Sequence, residues 1–154
     1  MNTSHAGSGS VRFPEAYTEA LETILEFELR RIRSTAVARD LPPAERARRR
    51  FMAVTDYVEE RLEGKIALPE LAALMALSVS RFAHAFKTEF GVSPYRYITA
   101  RRIERAKALL RTTDYTIARI AHHVGFPSHA HFSHGFATIA GVTPSAYRSA
   151  GPSP

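Results

Sequence analysis

Five of the seven histidines in this 154-residue chain, His122, His123, His129, His131 and His134, crowd into one short stretch. Imidazole offers two kinds of chemistry there, metal ligation and a change of charge near neutral pH. Metal ligation is not expected, because structural zinc takes a full tetrahedral ligand set and no Asp, Glu or Cys stands between His129 and Ala140 to complete one. The chain has no cysteine at all, which excludes disulfides, thiolate metal sites and cysteine nucleophiles and fits a reducing, cytoplasmic setting. It also lacks a glycine loop suited to cradling phosphate and a carboxylate pair placed for acid–base work, so neither an enzyme nor a cofactor is expected. What remains is electrostatic. Residues 1–65 carry 11 Lys+Arg against 11 Asp+Glu, whereas residues 66–154 carry 10 against 4, so the whole formal excess of +6 lies in the second part, which should attract polyanions.

Positioning such groups falls to helices. Residues 1–13 are rich in Ser, Gly, Asn and Thr and are expected to be disordered, since they bury too little apolar surface to offset their ordering entropy. From Pro14 to about Arg39, Tyr17, Leu21, Ile24, Leu25, Leu29 and Ile32 recur at helical spacing. Pro42 and Pro43 break that amphipathic helix, making 14–43 a helix plus linker. A second helix is expected over 44–62, with Phe51, Val54, Tyr57, Val58 and Leu62 on one face and Gly64 as a stop. Beyond it, short helices are expected at about 68–75, 79–90, 94–111, 116–123, 128–139 and 144–149, with 151–154 as a tail. No stretch alternates with period two, so the fold class is all-α. No run of about 18 uncharged apolar residues could span a bilayer, and no secretory pattern opens the chain.

The chain matches itself at an offset of fifty residues. Phe82, His84, Phe86, Thr88, Gly91, Val92, Pro94 and Tyr97 recur as Phe132, His134, Phe136, Thr138, Gly141, Val142, Pro144 and Tyr147. Leu71-Ala72 recurs as Ile120-Ala121 at an offset one residue shorter, so one supersecondary unit is present twice. In each copy a short helix leads through a turn to a second helix that Ser78 or Ser128 can cap. Two phenylalanines four apart, Phe82/Phe86 and Phe132/Phe136, anchor one face of that second helix in a core and leave the opposite face outward. Gly91 and Gly141 suit a left-handed stop, and Pro94 and Pro144 suit the start of the next helix. This is the helix-turn-helix arrangement, with units at about 67–91 and 116–141. The basic segment Arg101-Arg102-Ile103-Glu104-Arg105-Ala106-Lys107 joins them. Thr99, Ile103, Ala106 and Leu110 form the expected buried stripe of that linker helix, leaving its arginines for solvent or phosphate.

The stretch from about Arg50 to Arg148 resembles the AraC/XylS family of bacterial regulators, most specifically in Ile120-Ala-x-x-Val-Gly-Phe126, Phe132-Ser-x-x-Phe136 and Gly141-Val-Thr-Pro-Ser-Ala-Tyr-Arg148. The resemblance implies an AraC-type DNA-binding domain over 44–150, whose two recognition helices enter adjacent major-groove segments of double-stranded DNA. Carried over by position, the base-contacting candidates are Ser80, Arg81, Ala83 and His84 in the first unit and His129, Ala130, His131, Ser133 and His134 in the second. Arg81 can bond both O6 and N7 of guanine. Phosphate-contacting candidates are Ser78, Lys87, Arg96, Arg101, Arg105 and Ser128. The chain departs from the family at His134 and Ala137, where Arg or Lys is common, and at Ala76, where the turn glycine usually stands. The resemblance also implies a transcription activator that touches RNA polymerase, and the family's separate β-rich sensor domain has no counterpart in the first 65 residues.

An alternative makes the chain an interaction module that forms a homodimer, or pairs with a longer relative, through the helix at 15–39. If the histidine-bearing helix faces DNA, affinity should rise as pH falls from about 7.5 to 6 and histidines gain charge. Titrating duplex binding across that range checks this, and the slope should shrink after His131→Ala and His134→Ala.

Overall fold

The computed structural model describes residues 22, 24–26, 28–30, 32 and 41–151. The expectations for residues 1–13, most of 14–39 and the tail beyond Gly151 lie outside them; the described part of 22–32 is helical. Seven helices follow: α1 Pro43–Glu60, α2 Leu68–Leu74, α3 Val79–Phe90, α4 Pro94–Thr112, α5 Ile117–His123, α6 His129–Ala140 and α7 Pro144–Ser149. There is no strand among the described residues, and each of these helices lies within two residues of its expected span.

Their ends are set by local chemistry. Ser78, Ser93, Thr116, Ser128 and Thr143 each accept a hydrogen bond from a backbone N–H of the helix they precede, supplying a partner that the first turn lacks. Gly91 and Gly141 adopt φ of 73° and 77° and close α3 and α6. The turns inside the two units are the same structure built from different residues. In the first, the Leu77 N–H donates to the Ala72 carbonyl and the Ala76 N–H to the Ala73 carbonyl; in the second, the Phe126 N–H donates to Ala121 and the Gly125 N–H to His122. Both are Schellman stops, which need a left-handed residue at the junction. Gly125 supplies it at φ 77°, and Ala76 is forced into it at φ 55°.

Two cores result. α1, α2 and α3 enclose Phe51, Val54, Val58, Leu71, Phe82 and Phe86, where Phe51 and Phe86 meet edge to face at 6.4 Å. α5 and α6 enclose Ile120, Val124, Phe126, Phe132 and Phe136. α4 serves both, with Ile98 in the first core and Ile103, Ala106 and Leu110 in the second. Thr99, expected in its buried stripe, is half-buried, and Ile98 takes the inward place.

Tyr57 buries its ring in the first core and donates its hydroxyl to Glu70 Oε2 at 3.0 Å, linking α1 to α2. Burial first, then the hydrogen bond to the Glu70 carboxylate, pushes its pKa up to about 12. The folded state therefore holds this proton above the pH at which the unfolded chain releases it, so stability is lost as pH rises from the ordinary tyrosine value toward that of the folded protein. Urea unfolding followed between about pH 9 and 12 should show this loss, and Tyr57→Phe should reduce it.

The two turns respond oppositely to exchange. A left-handed alanine costs about 1–2 kcal/mol against a glycine entropy cost of about 0.4–1 kcal/mol, so Ala76→Gly should stabilise by up to about 1 kcal/mol. Gly125→Ala should destabilise by more than that, because its new methyl would lie 2.4 Å from the Leu62 carbonyl oxygen. Denaturation midpoints of the two variants check both signs.

Candidate DNA interface

With Phe82 and Phe86 fully inside, α3 turns Ser80, Arg81, His84 and Lys87 outward, while Ala83 is half-buried beside the core. With Phe132 and Phe136 fully inside, α6 turns out His129, Ala130, His131 and His134, and Ser133 is half-buried. The caps that start these helices also hold the candidate side chains at their first turns: Ser78 Oγ accepts from the Arg81 N–H at 3.4 Å and Ser128 Oγ from the His131 N–H at 3.1 Å. Arg96 is presented in the same way at the start of α4, its N–H bonded to Ser93 Oγ at 3.3 Å.

Charge is distributed unevenly over this surface. Among the described residues, no carboxylate pairs with Arg81, Lys87 or Arg96. Two of the linker arginines are exposed but ion-paired. Arg101 donates from Nε and Nη2 to the Glu59 carboxylate at 2.5 and 3.1 Å, and Arg105 pairs with Glu63 at 2.6 Å. The hydrogen bond to Glu59 raises the Arg101 pKa above the ordinary arginine value. Both cations are compensated by carboxylates at the end of α1 and just beyond it, which detracts from their candidacy for phosphate. Arg102, in contrast to the expectation, is not left for solvent or phosphate, since it is half-buried and donates to the Leu62 and Gly64 carbonyls at 3.0 and 2.7 Å. α6 carries no Lys or Arg, so the second unit offers histidine, serine and alanine where the first offers formal charge.

Sequence reasoning passed over Tyr95. Its hydroxyl oxygen lies 3.3 Å from His131 Nε2, bringing the first turn of α4 to the first turn of α6, and the Phe126 ring meets the same imidazole edge to face at 5.8 Å. The internal repeat holds no signal for it, because the position fifty residues on is Ser145. The histidines otherwise stay apart: among the described residues, no three His, Asp or Glu side chains gather around a point where an ion could sit. No helix among the described residues is long and apolar enough to cross a membrane.

Two capped helices in repeated helix-turn-helix units, turning polar faces outward from a shared linker helix, define a DNA-binding domain. A family model described as a helix-turn-helix domain matches residues 71–150, more than half of the chain. The chain belongs to the AraC-type helix-turn-helix family of DNA-binding transcription regulators. The arabinose operon regulatory protein of Escherichia coli (strain K12) is 29% identical over 144 residues, covering 94% of this chain and 48% of that protein. The MmsAB operon regulatory protein of Pseudomonas aeruginosa is 35% identical over 92 residues, covering 60% of this chain and 30% of that protein. The chain thus spans less than half the length of these curated relatives. Among solved structures, the C-terminal domain of AraT, a response regulator from Geobacillus stearothermophilus, superposes with a TM-score of 0.62 at 28% identity, covering 74% of this chain and 91% of that one. The DNA-binding domain of AdpA, a global transcriptional factor in complex with a target DNA, gives 0.60 at 30% identity, covering 63% and 87%.

Proposed function

We propose that this chain binds a specific duplex by placing α3 and α6 in adjacent major-groove segments, and that it regulates transcription as an activator that contacts RNA polymerase. The observation that carries the DNA reading is the pairing of two outward polar helix faces with cations left uncompensated at Arg81, Lys87 and Arg96. Arg81, in the first turn of α3, is the candidate for reading guanine, with Ser80, Ala83 and His84 beside it. Lys87 and Arg96 ground the phosphates, and the hydroxyl caps Ser78 and Ser128 lie at helix starts, where backbone N–H groups favour anions. The second unit, through His129, Ala130, His131, Ser133 and His134, reads shape and base edges with less electrostatic grip.

A second reading has its own observation. Ile24, Leu25, Leu29 and Ile32 are exposed on the helical segment ahead of α1, leaving an apolar face on which another copy or a longer relative could pair. Arg30 with Glu60 and Arg61 with Glu26 bind that segment to the end of α1, which favours an intramolecular role. Sedimentation at micromolar concentration separates a dimer from a monomer.

The DNA reading is tested by selecting bound sequences from a random duplex library and measuring salt dependence on the winner. Arg81→Ala should cost about 1–3 kcal/mol and relax the preference at one base pair. Lys87→Ala should weaken all duplexes alike and lower the slope of log affinity against log salt by about 1. Arg105→Ala should leave that slope nearly unchanged, because Glu63 already compensates Arg105. A wild-type protein that selects no sequence refutes the proposal.

A further inference from the structure

Arg102 stands where three parts of the molecule meet. It lies on α4 between Ile98, which belongs to the first core, and Ile103, which belongs to the second. Its Nε donates to the Leu62 carbonyl at 3.0 Å and its Nη2 to the Gly64 carbonyl at 2.7 Å, both in the loop that leaves α1. The same guanidinium borders the turn of the second unit, for a methyl placed on Gly125 would sit 2.9 Å from Arg102 Nη2 and 2.4 Å from the Leu62 carbonyl oxygen. One side chain therefore binds the loop of the first unit to the linker helix, directly against the left-handed turn of the second.

The chemistry suits a fixed joint. The acceptors are two carbonyls rather than a carboxylate, so the planar fork of arginine is used for its geometry, which lysine cannot reproduce. Burial lowers the Arg102 pKa below the ordinary arginine value, and charge-assisted bonds from a half-buried cation are stronger than neutral ones. The linker helix alone sets the axial distance between the units. Their mutual angle is constrained by close packing on α4, to which the Tyr95–His131 contact and the two hydrogen bonds of Arg102 add direction.

We propose that Arg102 is the positioning residue that fixes the angle between the two helix-turn-helix units, and thereby the register of α3 against α6. Its consequence for DNA rests on the two-groove reading above, but the geometric claim does not.

The absence of native cysteine permits a direct test. Thr88→Cys and Thr138→Cys place spin labels at repeat-related exposed positions of α3 and α6 in the full chain. Pulsed electron resonance should give one narrow label-to-label distance distribution with Arg102 intact. Arg102→Met should broaden or shift it while helical circular dichroism stays unchanged. Arg102→Lys, which keeps the charge but not the fork, should fall between them. A distribution in either folded variant that superimposes on the parent overturns the proposal, as does a broad distribution in the parent.

A second arm uses the duplex that the wild type selects, with one base pair inserted between the two contacted segments, an advance of about 3.4 Å and a rotation of about 34°. The insertion should cost the wild type about tenfold or more in affinity and Arg102→Met only about twofold. An equal penalty in both overturns the proposal for recognition. Absence of any selected duplex refutes the DNA reading and leaves the label distances to decide the geometry.

Discussion

One helix must satisfy two hydrophobic cores at once, and the rest of the domain is arranged around that constraint. The 19 residues of α4 extend over about 28 Å, with Ile98 sunk in one core and Ile103, Ala106 and Leu110 in the other. The second core takes its third wall from this helix, because α5 and α6 are short, whereas in the first core α1 is the third wall and Ile98 of α4 adds to it. A rigid rod shared in this way converts two locally folded units into one object. Each recognition helix is oriented by its own phenylalanine pair, which leaves Ser80, Arg81, His84 and Lys87 outward on one and His129, His131 and His134 outward on the other.

The cationic residues divide along the same line. Near the middle of α4 they hold structure together: Arg101 and Arg105 meet Glu59 and Glu63, and Arg102 meets backbone carbonyls. Around α3 and the first turn of α4, Arg81, Lys87 and Arg96 keep their charge uncompensated. The net positive charge of the second part is thus a poor guide to where an anion would be held. In the proposed reading this asymmetry gives the first unit the stronger electrostatic grip and leaves the second to shape, histidine and the Tyr95 contact.

Much of the fold was legible because it is written locally. Ser78 and Ser128 lie one residue ahead of the helices they cap, Gly91 and Gly141 lie one residue past the helices they end, and Phe82/Phe86 and Phe132/Phe136 mark their buried faces by spacing alone. Repetition strengthened each of these, since a signal seen twice in the same order is hard to produce by chance. Ala76 shows the limit of such reading. The family resemblance identified it as the turn position, but only the backbone shows that an alanine accepts a left-handed φ there to keep the same pair of hydrogen bonds as its glycine counterpart.

The roles assigned to arginine divide at the same boundary. By itself the chain determined the helices, their stops, the duplicated unit and the inward phenylalanines, because these depend on neighbours within about one or two helical turns. Only the tertiary structure decided which cations are engaged, since Arg101, Arg102 and Arg105 find partners some forty residues earlier in the chain. Tyr95 meets His131 across 36 residues for the same reason. Side chains of one type at similar spacing are alike to a pattern and differ only in what the packing of α1 and the second unit brings beside them, and that packing is a property of the two cores together.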